Sequence, residues 1–347
     1  MYCGLSGWTL SVFYKKGLSK KVKCKKSIMG LAALLIMIFH FYIPFSGLKA
    51  ELVIYRAAYI GVDIFFFVSA YSLAHRDRIE YWKFVGNRLL SIYIPFVLFA
   101  VVAGFYEKWK YPRFFKVISG IEFFKRGGGS FLWFFVAIML IYLIAPFLIK
   151  LKKRFGLKAF FGMILGWLLL GVLCKDVLGN RAVFVLVNRL PIIFIGMYYE
   201  EIRNFLLKKS GLPVIIAGLI AGSYLLYRYG SIERLNKPFF EMYYIIAIPF
   251  VISLVLLWDY ISSHVSIRNL PMQFIGRLTL ELYGLQMIFG FKLETGIYKA
   301  TGQKLITFLI TAICLIVAAY ILYPVSYTHL RAHETDSYLV CRLLLEK

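Results

Sequence analysis

Long apolar runs alternate with short charged stretches along this chain. Runs of roughly 17–22 apolar residues lie near 28–46, 57–75, 89–105, 131–149, 157–174, 182–199, 212–229, 239–258, 271–291 and 305–324. At 1.5 Å per residue, each is long enough to cross about 30 Å of hydrocarbon. The pattern predicts an all-α fold, a polytopic transmembrane bundle of about ten helices. The second run is the least uniform, because Asp63 sits inside it.

Basic residues near the ends of the runs set the orientation. Lys15, Lys16, Lys20, Lys21, Lys23, Lys25 and Lys26 precede the first run. Under a ten-helix count, Arg76, Arg78, Lys83, Arg88 and the loop KLKKRFGLK at 150–158 fall on the same side, which predicts both termini in the cytoplasm. The opposing loop, 106–130, also carries basic residues, so the bias is modest. Three segments follow: a basic N-terminal segment over 1–26, a membrane domain over 27–325, and a tail over 326–347 whose polar composition differs from the rest. Residues 1–14 are too short, and carry their charges in the wrong order, for a signal peptide.

Composition sharpens the reading. The chain has 347 residues, 61% of them hydrophobic, and only 17% are charged, against about 25% in a soluble domain. The formal net charge of +24 comes with no nucleic-acid motif, so we assign it to topology and to anionic lipid headgroups. Five cysteines at irregular spacing give no disulfide framework and no zinc site. His329 and His333 in the tail stand four apart, but their setting argues against a metal site.

The candidate chemistry is the polar minority inside the runs. His40 interrupts LIMIFHFYIPF, and imidazole in hydrocarbon asks for a partner or a task. Counted from Ile28, His40 lies about 18 Å deep, and Asp63, on the returning helix, lies about 9 Å below the outer surface. The two are therefore expected at comparable depth. A carboxylate bonded to the imidazole would fix its tautomer and raise its basicity; a pair that merely joins two helices would look the same. Arg189 precedes Pro191 in VNRLPIIFIGM, and Glu281, Tyr283 and Gln286 share GRLTLELYGLQ. Glu281 is either the counter-ion of Arg189 or a ligand group. Arg88 and Arg277 stand at helix starts, placed for phosphates or for topology alone. GGGS at 127–130 lacks the continuation of a phosphate loop and reads as a flexible lead into FLWFF.

In order, GLAALLIMIFHF (30–41), GVDIFFFVSAYSL (61–73), NRLLSIYIP (87–95), LWFFVAIMLIYLIAP (132–146), RLPIIFIGM (189–197) and IGRLTLELYGLQ (275–286) resemble the acyltransferase-3 family of integral membrane acyltransferases. That family modifies bacterial surface and exported glycans. The resemblance implies a multi-pass protein of the bacterial inner membrane that moves an acyl group, expected to be acetyl, from cytoplasmic acyl-CoA to a saccharide hydroxyl. It implies acyl-CoA as co-substrate, no permanently bound cofactor and no metal. It makes His40 and Asp63 catalytic, with His40 as base or transient acyl carrier. It assigns Lys25, Lys26, Arg88 and Arg277 to acyl-CoA, and Ser69, Trp133, Arg189, Glu281, Tyr283 and Gln286 to the substrate. The sequence departs from the family pattern at Met29, Ser91, Ala70 and Gln286, where an arginine or lysine, an arginine, a glycine and often a histidine are usual. Lys25 and Lys26 are expected to substitute for the cation missing at Met29. The competing reading is a transporter or flippase of lipid-linked glycan, in which His40, Asp63 and Arg189 line a polar path.

Overall fold

The computed structural model describes residues 25–42, 46, 48–75, 80–174, 182–229, 243–264 and 270–334. The basic segment up to residue 24, Arg76 and Arg78, and the tail beyond Glu334 lie outside the described residues. Among the described residues the fold is helical, without a strand. Its elements are α1 (25–41), α2 (Lys49–Ala57), α3 (Ile60–Ala74), α4 (Tyr81–Tyr106), α5 (Tyr111–Ile118), α6 (Ile121–Arg126), α7 (Trp133–Phe155) and α8 (Leu157–Val172). They continue with α9 (Phe184–Val187), α10 (Leu190–Met197), α11 (Tyr199–Tyr229), α12 (Tyr243–Ile246), α13 (Ile248–His264), α14 (Leu270–Ile275), α15 (Thr279–Leu285), α16 (Phe291–Thr301) and α17 (Lys304–Glu334).

Four of these helices are long and apolar enough to cross a membrane, and α2 with α3, bent by 49°, makes a fifth. The others that coincide with apolar runs are shorter or broken, and the breaks have local causes. The run 182–199 divides into α9 and α10 at Asn188–Arg189, because Pro191 in the first turn of α10 supplies no N–H to a preceding turn. The run 271–291 divides into α14 and α15, then widens into a π-helical turn over Gln286–Gly290 before α16. The first run, expected to stay helical to residue 46, ends at Phe41. Pro44 explains this, since the residue before a proline is disfavoured in the α conformation.

Burial follows the helical pattern. The centre of the bundle is aromatic, with Phe66, Phe67, Phe96, Phe123, Phe135 and Tyr198 fully enclosed. Large apolar side chains also face outward along the helices, among them Phe161 and Leu169 on α8 and Ile321 on α17. Apolar residues on both faces of a helix suit a bundle whose solvent is lipid. α10 packs along α3, where Gly196 leaves no room for a side chain against the backbone of Phe67. α1 crosses the turn after α14 equally closely: a Cβ on Gly30 would strike the carbonyl of Met272, and one on Gly276 the carbonyl of Lys26. That crossing fixes Lys26 beside Arg277.

Candidate active site

The polar residues of the apolar runs gather into three groups, which the helix breaks hold in place. In the first, His40 occupies the last turn of α1, flanked by the rings of Phe39, Phe41 and Phe291 with centroids 5.3, 5.9 and 5.8 Å away. Gln286, 2% exposed, opens the π turn, and its side chain interacts with the imidazole. The turn closes at Gly290, where the absence of a Cβ admits the ring of Phe41. His40 Nδ1 is buried and has no hydrogen-bond partner. This nitrogen is placed to take or carry a proton, since nothing already occupies it.

The second group is built on the α9–α10 break. Asp63, in the first turn of α3, and Arg189 are both almost fully buried, and Arg189 Nε stands 3.0 Å from Asp63 Oδ1. Arg189 Nη1 donates to the carbonyl of Val185 at 2.8 Å, and the guanidinium lies over the Trp133 ring, 5.1 Å from its centroid. Tyr283 stands within electrostatic range of Arg189, stacks on Phe135 and accepts a hydrogen bond from the backbone N–H of Phe134 at 3.4 Å. Glu281 is buried on the same helix, α15. The expected His40–Asp63 pair does not form: Asp63 meets Arg189, and no hydrogen bond or ion pair joins it to His40. Equal depth placed them at one level, but helical rotation turns Asp63 toward α10. Asp63 is thus a buried counter-ion of Arg189.

The third group lies toward the end of the bundle that carries the α1 N-terminus. Lys25 and Lys26 are adjacent in sequence and diverge in space. Lys25 Nζ sits over the Tyr71 ring at 4.5 Å. Lys26 lies beside Arg277, and burial together with that neighbouring charge lowers its pKa below the ordinary lysine value. Arg88 stands over the Tyr142 ring, 5.9 Å from its centroid, and Tyr142 OH is 3.0 Å from Ser69 Oγ. Tyr142 was hidden among the chain's 25 tyrosines; its partners in space, and no spacing in the sequence, single it out.

An apolar cleft of about 180 Å³ joins the third group to the second. Met29, Ser69 and Tyr142 line it toward the basic end, and Val62, Phe134 and Tyr283 toward the Asp63–Arg189 pair. On α1 it extends from Met29 to Ile36, about 10 Å along the helix axis. Among the described residues no cluster of three or more histidine, cysteine or acidic side chains could hold a metal ion.

The Acyl_transf_3 family, an acyltransferase domain, matches residues 28–325. The chain belongs to this family. It is a membrane acyltransferase. No curated protein and no solved structure matches it. Three of the departures from the family pattern now have positions. Met29 lines the cleft. Ser91 Oγ donates back to the carbonyl of Arg88 at 2.9 Å. Gln286, at the slot where family members often carry a second histidine, is the group that touches the first.

Proposed function

We propose that the protein transfers an acyl group, acetyl in the simplest case, from acyl-CoA to a hydroxyl of a bacterial envelope saccharide, with His40 as the general base. The observation that carries this reading is the His40 imidazole: half-buried among aromatic rings, beside the Gln286 side chain, and with no hydrogen-bond partner at its buried Nδ1. A base needs a nitrogen that accepts a proton without surrendering an existing bond.

The chemistry balances with residues of this chain. His40 takes the proton of the acceptor hydroxyl as its oxygen attacks the thioester carbonyl. The carbon–sulfur bond breaks on collapse, and the imidazolium returns the proton to the departing CoA thiolate. The apolar cleft suits the acyl-pantetheine arm, which has no charge to solvate. The cations at its basic end suit the CoA phosphates: Arg88 at the Tyr142 wall, and Lys26 with Arg277 where α1 crosses the turn after α14. The Trp133 face beside Arg189 suits a sugar ring, whose C–H surface packs on indole while its hydroxyls bond to charged neighbours.

The test is incubation of the purified protein with radiolabelled acetyl-CoA and candidate envelope saccharides. Label that enters the saccharide as an alkali-labile ester supports the reading. If label stays on CoA with every acceptor while the protein moves lipid-linked glycan across vesicles, the polar groups form a transport path instead.

A further inference from the structure

Two helical stripes form much of the cleft wall. Val62, Phe65 and Ser69 recur on α3, and Phe134, Ile138 and Tyr142 on α7, at the three- and four-residue intervals that repeat one helix face. Met29 and Ile36 continue the lining on α1. The α3 and α7 stripes are apolar until their last position, where each ends in a hydroxyl.

These two hydroxyls meet. Tyr142 OH stands 3.0 Å from Ser69 Oγ, and either can donate to the other. The pair carries two protons and uses one between its members. The second proton and the remaining lone pairs are left for a further partner. Both residues are half-buried and line the cleft, so that partner is met from the cleft. It must both donate and accept, and it must extend toward the Arg88 guanidinium, 5.9 Å from the Tyr142 ring. A lipid tail does neither. A phosphopantetheine arm does both: a hydroxyl and then an amide follow its phosphate within about four to six bonds, roughly 5–7 Å when extended. A phosphate held by Arg88 sets those groups beside Tyr142 and Ser69.

We infer that the Ser69–Tyr142 hydroxyl couple reads the pantoate hydroxyl and amide of the acyl donor, and so selects phosphopantetheine thioesters over other activated acyl groups. The inference rests on the proposed donor site and adds a specificity determinant to it. The arm belongs either to CoA or to the prosthetic group of a carrier protein.

Isothermal titration calorimetry of the full chain in dodecylmaltoside tests it, with Tyr142→Phe and Ser69→Ala beside the wild type. The probes are CoA, phosphopantetheine, and adenosine bisphosphate, which keeps phosphates but lacks the arm. Each variant should bind CoA and phosphopantetheine about tenfold more weakly, the value of one hydrogen bond. Adenosine bisphosphate should bind the variants as it binds the wild type. Within that pattern, CoA binding far tighter than phosphopantetheine identifies a CoA donor, and equal binding identifies a carrier-borne arm. Unchanged CoA affinity in both variants, an equal loss for adenosine bisphosphate, or a wild type that binds no arm-bearing probe would overturn the inference. Arm-dependent binding without transfer to any saccharide would sustain it and overturn the proposed reaction alone.

Discussion

At the scale of single residues, each buried polar group is defined by the partner it holds. Asp63 and Arg189 neutralise one another at 3.0 Å in a nearly dry setting. Arg189→Met leaves a buried carboxylate unpaired and should cost about 3–5 kcal/mol, whereas Asp63→Asn with Arg189→Met together should cost much less. Thermal unfolding of the purified variants distinguishes the two; equal losses would show that the pair is not the stabilising unit. In the proposed reaction Gln286 positions the His40 imidazole. Gln286→Leu should therefore lower kcat about tenfold with the acyl-CoA KM unchanged, and Gln286→His should retain activity. A rise in KM alone would place Gln286 in substrate binding and remove it from His40.

At the scale of elements, the apolar runs announced the helices well, because lipid-facing and core-facing positions are both apolar and only length separates them from loops. The breaks were harder to read. Pro191 and Pro44 were visible, but the side toward which a broken helix turns Asp63, Arg189 or Gln286 depends on packing partners that no spacing encodes. The same limit hid the divergence of Lys25 and Lys26, which one residue of helical rotation, about 100°, sends to different partners. Lys26 beside Arg277 carries a depressed pKa caused by burial and then by the Arg277 charge. If this pair holds CoA phosphates, the lysine sheds its proton at lower pH than an ordinary lysine, and the acyl-CoA KM should rise as pH increases through the alkaline range. Lys26→Arg, whose charge persists, should flatten that rise. Identical pH profiles would exclude Lys26 from the donor site. Met29→Arg, which restores the family's usual cation at the wall of the cleft, should lower the same KM.

At the scale of the whole molecule, the proposed reaction has one cleft carry the thioester inward from the basic end toward His40, which lies one helical turn beyond Ile36 of the cleft wall. Ile138 lines the cleft at its middle and is 5% exposed. Ile138→Trp should obstruct the acyl arm, raising the acyl-CoA KM while leaving acceptor KM unchanged. α17 runs past Pro324 to Glu334, yet its span over Lys304–Pro324 already suffices to cross a bilayer. Removing residues 326–347 should leave thermal stability and transfer intact, and aggregation of the truncated protein would show that the tail is a working element. The decisive measurement is acyl transfer by His40→Ala, reconstituted in liposomes with labelled acetyl-CoA and a competent saccharide acceptor. Transfer should fall by about 10²–10⁴-fold, with the wild-type unfolding temperature and acyl-CoA affinity preserved. Undiminished transfer in that variant would contradict the account.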